Sequence, residues 1–350
     1  MTEDIKLTQF SHGGGCGCKI APNILEQILH THYAFPDNKN LLVGNHSKDD
    51  AAVYDLGNGT AVISTTDFFM PIVNDAFDFG RIASANAISD VYAMGGKPIM
   101  AIAVLGWPVD KIPPSVAKMV LDGSRSICAE AGIPLAGGHS IDAPEPIFGL
   151  AVTGMIDIQN LKQNNTAKEG DVLFITKRLG VGILSTAQKR ELLKEEHFDL
   201  LIKQLTQLNA IGEKLGKIDG VHAMTDVTGF GLIGHLLEMT EGSGLSCELL
   251  YDNVAIMPGA KEYIAQKVIP GATKRNWNSV SHSVQFAGNF DEEQAINLLA
   301  DPQTNGGLLI AVSEEAVEEV KELLLQSGYG DFCKPVGEML AKSEKAITIK

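Results

Sequence analysis

A glycine-rich stretch near the N-terminus carries two thiols and an amine. Residues 12–19 read His-Gly-Gly-Gly-Cys-Gly-Cys-Lys, so Cys16, Cys18 and Lys19 lie on a backbone that glycine leaves free to adopt many conformations. A purely structural cysteine is normally buried in a core, where its sulfur is inert. We therefore predict a mobile reactive arm whose thiolate the lysine favours. Cys18 could assist Cys16, pair with it under oxidation or be dispensable.

A second group of candidates consists of aspartates on separate segments. Asn58-Gly59 lies between two extended runs and predicts a hairpin, and a two-residue turn there would place Asp50 directly opposite Asp67. Facing carboxylates repel each other unless a cation lies between them, and Mg²⁺ takes oxygen ligands of this kind. Each aspartate could instead cap a helix, form a turn or face solvent. The further candidates for the set are Asp49, Asp90 and Asp226. Asn86 and Asp90 are four residues apart, so we expect them to share one face of a helix.

Two glycine-rich turns follow apolar runs. Residues 226–231, Asp-Val-Thr-Gly-Phe-Gly, lead into a helix, whose unpaired N–H groups and dipole would attract an anion. Residues 137–140, Gly-Gly-His-Ser, form a turn that could approach a phosphate or ribose closely. Neither matches a Walker A or dinucleotide pattern. Both could be plain connections, and His139 could be a hydrogen-bonded structural histidine.

Composition narrows the class of protein. A chain of 350 residues with 45% hydrophobic residues predicts two domains with well-filled cores. The net charge of −15 argues against binding to a nucleic-acid backbone, although it permits a small anionic substrate brought in with metal ions. No apolar run approaches the roughly 20 residues of a membrane span, and the N-terminus lacks a secretory signal. The five scattered cysteines do not form a disulfide framework, so we expect a reduced, cytoplasmic protein without a membrane partner.

The apolar pattern predicts strands alternating with helices, and the polar stretch 157–170 predicts a domain boundary. We expect an α+β fold with two domains, each a sheet with helices on one face. The expected units are a flexible glycine-rich arm and lead-in (1–45), an N-terminal domain (46–157) and a C-terminal domain (158–350). The expected helices are 77–94, 115–132, 232–240 and 314–327, and the expected strands include 41–43, 51–56, 60–65, 98–105, 133–136, 147–156, 171–176, 221–225, 308–312 and 346–349. The apolar run 98–105 is expected to be a buried strand.

Together these motifs resemble the selenophosphate synthetase family of the aminoimidazole ribonucleotide synthetase-like superfamily. The cysteine-bearing arm is the specific part of the resemblance, since related enzymes share looser versions of the other motifs. Asn305 departs from the family, which usually has serine at that position. The matching segments are residues 12–19, 49–53, 64–69, 86–90, 137–142, 225–231 and 301–307.

The resemblance implies a homodimer whose N-terminal domains bind ATP and metal and join their sheets into a barrel. It also implies that ATP, selenide and water become selenophosphate, AMP and orthophosphate, with Mg²⁺ required and often K⁺. The product would supply activated selenium for selenocysteine and selenouridine, and a selenide-delivery protein fits as a partner. The implied positions are Cys16 and Lys19 as catalytic residues, Asp50, Asp90 and Asp226 as metal ligands, and Lys19, Ser47, Lys48, Asp49, Asp67 and Asp90 at the nucleotide, with Gly138, His139 and Ser140 reaching it from the partner subunit.

Two other interpretations remain open. A related ATP-dependent kinase or ligase acting on another small substrate would share the aspartates, would have no use for the thiols, and would release ADP. A zinc or redox module could use His12, Cys16 and Cys18, although structural zinc sites want four ligands and usually wider spacing. Stoichiometric zinc in purified protein would favour the second of these.

Overall fold

The computed structural model describes residues 5–19, 22–29, 38–45 and 48–350 of the chain. Within these ranges, the N-terminal part forms a six-stranded sheet with the order β1-β2-β3-β6-β4-β5, in which only the β4–β5 pair is parallel. Its elements are β1 (Leu41–Val43), β2 (Ala52–Asp55), β3 (Thr60–Phe69), β4 (Lys97–Trp107), β5 (Leu135–Asp142) and β6 (Ile147–Asp157), with helices α1 (Pro22–Leu29), α2 (Ala76–Ala93) and α3 (Pro114–Glu130).

The predicted hairpin exists, but its loop has three residues instead of two. The Leu56 N–H donates to the Thr60 carbonyl at 3.0 Å, which leaves residues 57–59 as the loop. The whole β2–β3 ladder is therefore shifted by one residue from the predicted register. Asp50 does not lie opposite Asp67, and it precedes β2 altogether.

Helix α2 lies at the centre of the molecule. It contacts the first sheet and α3, and it also contacts β8 and two helices of the C-terminal part. Because α2 is enclosed from several directions, its small residues let neighbouring elements approach closely, and nearly all of its side chains are buried. The Asp75 carboxylate accepts a hydrogen bond from the Asp78 N–H and caps its first turn. The predicted helix 77–94 is confirmed to within one residue at each end.

The other face of the first sheet is apolar and exposed. Phe68, Ile102 and Ile141 are 50%, 46% and 60% exposed. The run 98–105 was predicted as a buried strand, and it is a strand, but it is buried on one face only. Its apolar side chains therefore leave a wide uncovered surface on the sheet.

The C-terminal part forms a seven-stranded sheet with the order β10-β13-β9-β12-β7-β11-β8. Its strands are β7 (Val172–Ile175), β8 (Val221–Asp226), β9 (Ser246–Leu249), β10 (Val284–Phe286), β11 (Leu308–Val312), β12 (Gly337–Leu340) and β13 (Ile347–Ile349). Its helices are α4 (Val181–Lys189), α5 (Glu195–Thr206), α6 (Ile211–Leu215), α7 (Gly231–Ser243), α8 (Ala260–Ala265), α9 (Gly271–Val280), α10 (Glu292–Leu299) and α11 (Val317–Gln326).

The prediction of helices on one face is wrong for this second sheet. Every residue of β11 is buried, and alternate residues of the strand belong to two different apolar clusters. One cluster includes residues of α6 and α11, and the other includes residues of α4, α5 and α7. A strand covered on both faces has a continuous apolar sequence, as Leu-Leu-Ile-Ala-Val does.

The predicted division at residues 45/46 and 157/158 stays a prediction. β1, which lies in the predicted lead-in, pairs with β2 and so belongs to the first sheet. Among the described helices, none has the length and apolar content needed to cross a membrane.

Candidate active site

Three aspartates from distant segments meet between the two sheets. Asp50 precedes β2, Asp90 lies near the end of α2, and Asp226 is the last residue of β8. One oxygen from each carboxylate lies within 4.8 Å of the others. The contact between α2 and β8 is what brings the last two together.

Each carboxylate has one hydroxyl donor from a neighbouring element. These donors are Thr225 to Asp50 (2.9 Å), Thr65 to Asp90 (2.5 Å) and Ser89 to Asp226 (2.5 Å). The second oxygen of Asp50, Oδ2, is buried and has no hydrogen-bond partner. One hydroxyl per carboxylate neither neutralises the charge nor fills all the lone pairs.

The electrostatics of this cluster favour a bound cation. Burial raises the pKa of all three carboxyl groups, and the repulsion from Asp226 raises the pKa of Asp50 and Asp90 further. The donor set is purely carboxylate oxygen, which suits a hard divalent ion such as Mg²⁺. The orphaned oxygen of Asp50 is an atom that such an ion would satisfy, so the residues fit the metal implied by the sequence.

The Cys16 thiol lies beside this cluster and is only 1% exposed. Its N–H donates to Thr304 Oγ1 at 2.9 Å, and its Sγ donates to Asn86 Oδ1 at 3.2 Å. Burial is the main cause that raises the pKa of the thiol, and the nearby charge of Lys19 opposes this rise. The segment predicted to be a mobile arm is thus docked here, in a short 3₁₀ turn over Gly15–Cys18, with a neutral thiol. The side chain of Cys18 lies outside the described residues.

Asn86 connects the thiol to an ion pair. Its Nδ2 donates to Asp67 Oδ2 at 2.7 Å, and the same oxygen lies 3.5 Å from Lys19 Nζ. The Asp67 charge raises the pKa of Lys19, so the ammonium is retained. Asn86 and Asp90 were expected to share one face of a helix, and they do lie on α2, but their side chains serve different neighbours. The amide of Asn86 thus holds the sulfur and the ion pair in one network.

A cavity of about 230 Å³ opens onto this network. The Lys19 side chain is 39% exposed, whereas Asp67 is 12% exposed. The cavity therefore gives solvent or a ligand access to the ammonium while the thiol stays covered. Its lining residues are Gly15, Cys16, Lys19, Asp67, Phe68, Phe69, Met70 and Ile147.

Two glycines allow the cysteine segment to dock. A Cβ at Gly229 would lie 2.6 Å from the Cys16 carbonyl oxygen, so only glycine leaves room for that backbone. Gly15 has a φ of +55°, and a Cβ there would lie 2.5 Å from Thr304 Oγ1. A side chain at either position would push the segment away from Asn86.

Asp49 and Lys48, which were predicted to lie at the nucleotide, both contact Asn164. Asp49 lies beside the carboxylate cluster, and its oxygens accept from the N–H groups of Asp50 (3.0 Å) and Asn164 (3.3 Å). Burial raises the pKa of Asp49 to about 6. Lys48 has a φ of +52°, and its carbonyl accepts from Asn164 Nδ2 at 3.0 Å. Ser47 lies outside the described residues.

Gly138, His139 and Ser140 do not join the cluster in this chain. They were predicted to form a turn, but they lie inside β5, the edge strand of the first sheet, and are exposed. The register runs from Asp67 across β6 and β4 to Gly138, a distance of three strand spacings or about 14 Å. Within one chain, the edge strand cannot reach the thiol.

The 226–231 turn also differs from its prediction. The Thr228 N–H donates to His235 Nε2 at 3.1 Å, and the Val227 N–H donates to the Gly307 carbonyl at 2.9 Å. The turn therefore offers an anion fewer N–H groups than its sequence indicates. Since Nε2 of His235 is the acceptor, its ring proton lies on Nδ1, which is 3.3 Å from Glu238.

Sequence reasoning gave no role to several residues that hold the network. Thr304 accepts from the Cys16 N–H, and the Asn305 N–H donates to Asn86 Oδ1 at 2.7 Å. Asn305 has a φ of +47°, which asparagine tolerates better than most residues. The buried Lys177 donates to the carbonyls of Asn305 (2.9 Å) and Gln207 (2.7 Å), and burial lowers its pKa to about 7. A charged residue two positions after the apolar strand Val172–Ile175 is the signal that could have found Lys177.

The zinc interpretation finds no support among the residues that the structure describes. His12 is exposed and contacts Glu145 at 2.9 Å, whereas Cys16 is buried against Asn86. In the described part of the chain, the candidate metal cluster consists of the three aspartates and includes no histidine or cysteine.

Comparison with known proteins assigns the chain to a family. The profile of the AIR synthase related protein N-terminal domain matches residues 48–156, and that of the C-terminal domain matches residues 168–350. A selenide, water dikinase of Photorhabdus laumondii subsp. laumondii is 57% identical over 350 residues, which cover 100% of this chain and 99% of the relative. One from Enterobacter sp. (strain 638) is 55% identical over 338 residues, covering 97% and 96%.

Solved structures share the fold at low identity. Thiamine-monophosphate kinase from Stenotrophomonas maltophilia K279a has a TM-score of 0.65 at 17% identity and covers 95% of this chain and 96% of its own. Hydrogenase maturation protein HypE from E. coli has a TM-score of 0.60 at 22% identity, covering 89% of both chains. At full-length identities above one half to the curated relatives, the chain belongs to the selenide, water dikinase family of AIR synthase related proteins.

Proposed function

We propose that this chain forms selenophosphate from ATP, selenide and water, and releases AMP and orthophosphate. Selenium forms a bond to the γ-phosphorus as the bond between that phosphorus and its bridging oxygen breaks. Water then cleaves the remaining β-phosphoryl group from the nucleotide. The names of the full-length relatives support this reaction.

One observation carries the proposal: the Cys16 thiol, the Asn86 amide, Asp67 and Lys19 form one network beside three converging carboxylates. For phosphoryl transfer, a protein mainly has to position the reacting groups and neutralise their charge. An ordinary kinase with the same carboxylates has no need of a thiol in this place. The combination therefore favours transfer of a phosphoryl group to a soft selenium nucleophile.

Lys19 neutralises charge on the transferred phosphoryl group. In the resting chain its ammonium pairs with Asp67, which keeps the positive charge at the wall of the cavity. A phosphoryl oxygen entering the cavity can replace part of this pairing at little cost, since the ammonium has three donors. Asp67 then serves to orient Lys19 and Asn86.

Asp50, Asp90 and Asp226 would hold Mg²⁺ in this site. When bound, Mg²⁺ neutralises phosphate charge and helps to align the triphosphate for transfer. The hydroxyls of Thr225, Thr65 and Ser89 fix the orientation of the three carboxylates. ATP is the substrate that such a site would receive, and the alkaline-earth requirement follows from the oxygen-only donor set.

Cys16 acts after its segment moves. The thiol is neutral and covered, so it must leave Asn86 before it can hold or deliver the hydroselenide anion, a step that changes no oxidation state. The glycines of the segment allow that motion, and the return of the segment limits the access of water during the first transfer. Lys19 travels on the same short segment and therefore stays close to the sulfur.

A homodimer completes the site. The exposed apolar face of the first sheet is suited to burial against a second copy, which would form a barrel from two sheets. In that assembly β5 brings Gly138, His139 and Ser140 toward the nucleotide of the other subunit. Activation by K⁺, a cytoplasmic location and a selenide-delivery partner stay predictions.

The test is an anaerobic incubation with ATP, Mg²⁺ and selenide, followed by phosphorus NMR. We expect a selenium-bonded phosphate to appear together with AMP. The Cys16→Ser variant should form none, whereas the matched control Cys333→Ser, in the C-terminal part, should form as much as wild type. Full activity of Cys16→Ser would remove the thiol from the mechanism. ADP as the final nucleotide product would instead indicate a related kinase.

A further inference from the structure

A second and larger cavity lies against the cysteine segment. It has a volume of about 600 Å³, and Gly13, Gly14 and Gly17 form part of its wall. The smaller cavity described above contacts Gly15, Cys16 and Lys19 of the same segment. The cysteine segment therefore separates two cavities, and we call the larger one the basic groove.

Three cations line the basic groove. Lys189 and Arg190 lie at the end of α4, and Arg275 lies on α9. Their side chains donate to main-chain carbonyl groups, which carry no net charge: Lys189 to Ser11 (3.3 Å), Arg190 to Lys267 (3.2 Å) and Arg275 to Gly17 (3.4 Å).

Carboxylates are sparse around this groove. Among its described lining residues there is no aspartate or glutamate. Glu145 contacts the lining residue His12, and Glu191, next in sequence to Arg190, pairs with Lys6. The Asp301 carboxylate is fully buried behind the wall, where it accepts from the Gly182 N–H at 2.9 Å. In a chain with a net charge of −15, the groove is thus a local concentration of positive charge.

The groove reaches the thiol through one shared residue. Thr304 lines the groove, and its Oγ1 accepts the hydrogen bond from the Cys16 N–H at 2.9 Å. The Gly17 carbonyl, one residue from Cys16, accepts from Arg275 in the groove. A ligand in the groove is therefore separated from Cys16 only by Thr304 and the glycine backbone.

We infer that the basic groove is the vestibule through which hydroselenide reaches Cys16, an inference that rests on the proposed function. Hydrogen selenide is a monoanion at neutral pH, and the acidic surface of this protein repels it. The carboxylates near the smaller cavity suit a metal-bound nucleotide and disfavour a free anion. The groove supplies attraction on the other side of the sulfur, so that selenium and the nucleotide approach from different cavities.

The size of the groove decides which kinetic constant it affects. A volume of about 600 Å³ far exceeds that of a diatomic anion, so the groove attracts the anion but does not enclose it in a tight binding site. Positive charge that steers an anion raises its association rate and loses this effect in salt. The groove should therefore affect kcat/KM for selenide and leave kcat and the KM for ATP unchanged.

The experiment is steady-state kinetics on the full-length enzyme under anaerobic conditions. The charge-removing variants are Lys189→Gln with Arg190→Gln, and Arg275→Gln. We expect kcat/KM for selenide to fall about 3- to 10-fold at low salt, with the KM for ATP unchanged. The charge-conserving variant Arg190→Lys should keep wild-type values, which separates charge from packing. The control Arg125→Gln, on the exposed face of α3, should match wild type.

The salt response gives an independent measurement. For wild type, kcat/KM for selenide should fall as ionic strength rises, and this dependence should be shallower in the charge-removing variants. Wild-type values of kcat/KM for selenide in those variants, or a parallel rise in the KM for ATP, would overturn this inference and leave the proposed function standing. Failure of wild type to form selenophosphate at all would overturn the proposed function, and the groove assignment with it.

Discussion

Replacing one carboxylate of the cluster should stabilise the metal-free protein and abolish its response to Mg²⁺. Asp50→Asn is the sharpest change, because its amide keeps an oxygen for the Thr225 hydroxyl and places a donor where Asp50 Oδ2 has no partner. The new amide can donate toward Asp90 and Asp226. The repulsion among three carboxylates is thereby reduced to that of one pair.

The structure sets the size of the effect. Charges 4.8 Å apart in an effective dielectric of about 20 repel by about 3 kcal/mol, and Asp50→Asn removes two such pairs. The gain has an upper limit, because wild-type Asp50 can relieve the same repulsion by binding a proton. For an ordinary aspartate at about pH 8, binding a proton costs about 6 kcal/mol. We therefore expect a gain of about 3 to 6 kcal/mol. With an unfolding entropy of about 2.1 cal/mol/K per residue over 350 residues, this corresponds to a rise in Tm of about 4 to 8 °C.

The pH dependence follows from the same carboxylates. Because the pKa values of Asp50, Asp90 and Asp226 are raised by folding, the folded metal-free chain binds more protons than the unfolded chain above about pH 4. Stability of the metal-free protein should therefore fall as pH rises from there toward neutrality. Bound Mg²⁺ should restore it, and restore more at higher pH, because binding to the folded state adds stability.

Differential scanning calorimetry with chelator and with excess Mg²⁺ measures all of these quantities. Wild type should melt higher with Mg²⁺, and Asp50→Asn should melt higher than wild type with chelator but show no Mg²⁺ shift. The control Asp122→Asn, on an exposed face of α3, should resemble wild type in both conditions. A destabilised Asp50→Asn in chelator, or an undiminished Mg²⁺ shift, would refute the electrostatic reasoning.

Two further predictions test the docked segment and the buried lysine. Gly15→Ala puts a Cβ against Thr304 at a left-handed position, so it should raise the rate of Cys16 alkylation by iodoacetamide about 5- to 30-fold. The control Gly17→Ala, whose Cβ would lie 3.8 Å or more from its neighbours, should leave that rate unchanged. Peptide mass spectrometry resolves the labelling of Cys16, and equal rates in the two variants would contradict docking. Lys177 has a pKa lowered to about 7, so the folded chain binds fewer protons than the unfolded chain between about pH 7 and 10, and this raises stability with pH. Lys177→Met should make the free energy of unfolding rise less steeply with pH, by the equivalent of up to one bound proton. Denaturant unfolding across this pH range measures the slope, and an unchanged slope would show that Lys177 titrates normally.

Much of the local structure could be read from patterns that act over a few residues. The helix carrying Asp90 and the strand ending at Asp226 were both predicted, because their apolar periodicity and flanking glycines are local signals. The hairpin at residues 57–59 was predicted as well, but its loop length was wrong by one residue. That residue moved Asp50 away from Asp67, since register depends on turn geometry that glycine leaves open.

Longer-range features could not be predicted from such signals. Residues 137–140 resemble a glycine-rich turn, yet they pair with β4 as an edge strand, because the partner strand supplies the hydrogen bonds. The covering of β11 on both faces depends in part on helices more than 60 residues away, such as α6 on one face and α7 on the other. The role of Asn305 also depends on distant groups, the carbonyls of Leu205 and Gln207 and the amide of Asn86.

The sequence by itself determined which chemical groups this protein has and the local elements that carry them: a thiol and a lysine among glycines, and aspartates at the ends of strands and helices. Only the tertiary structure decided that Asp50, Asp90 and Asp226 converge, that Asn86 joins Cys16 to Asp67, and that the thiol rests buried and neutral. The physical reason is range. Propensity and periodicity act within one element, whereas carboxylate repulsion, burial of a thiol and hydrogen bonds between domains arise only when separate elements pack together.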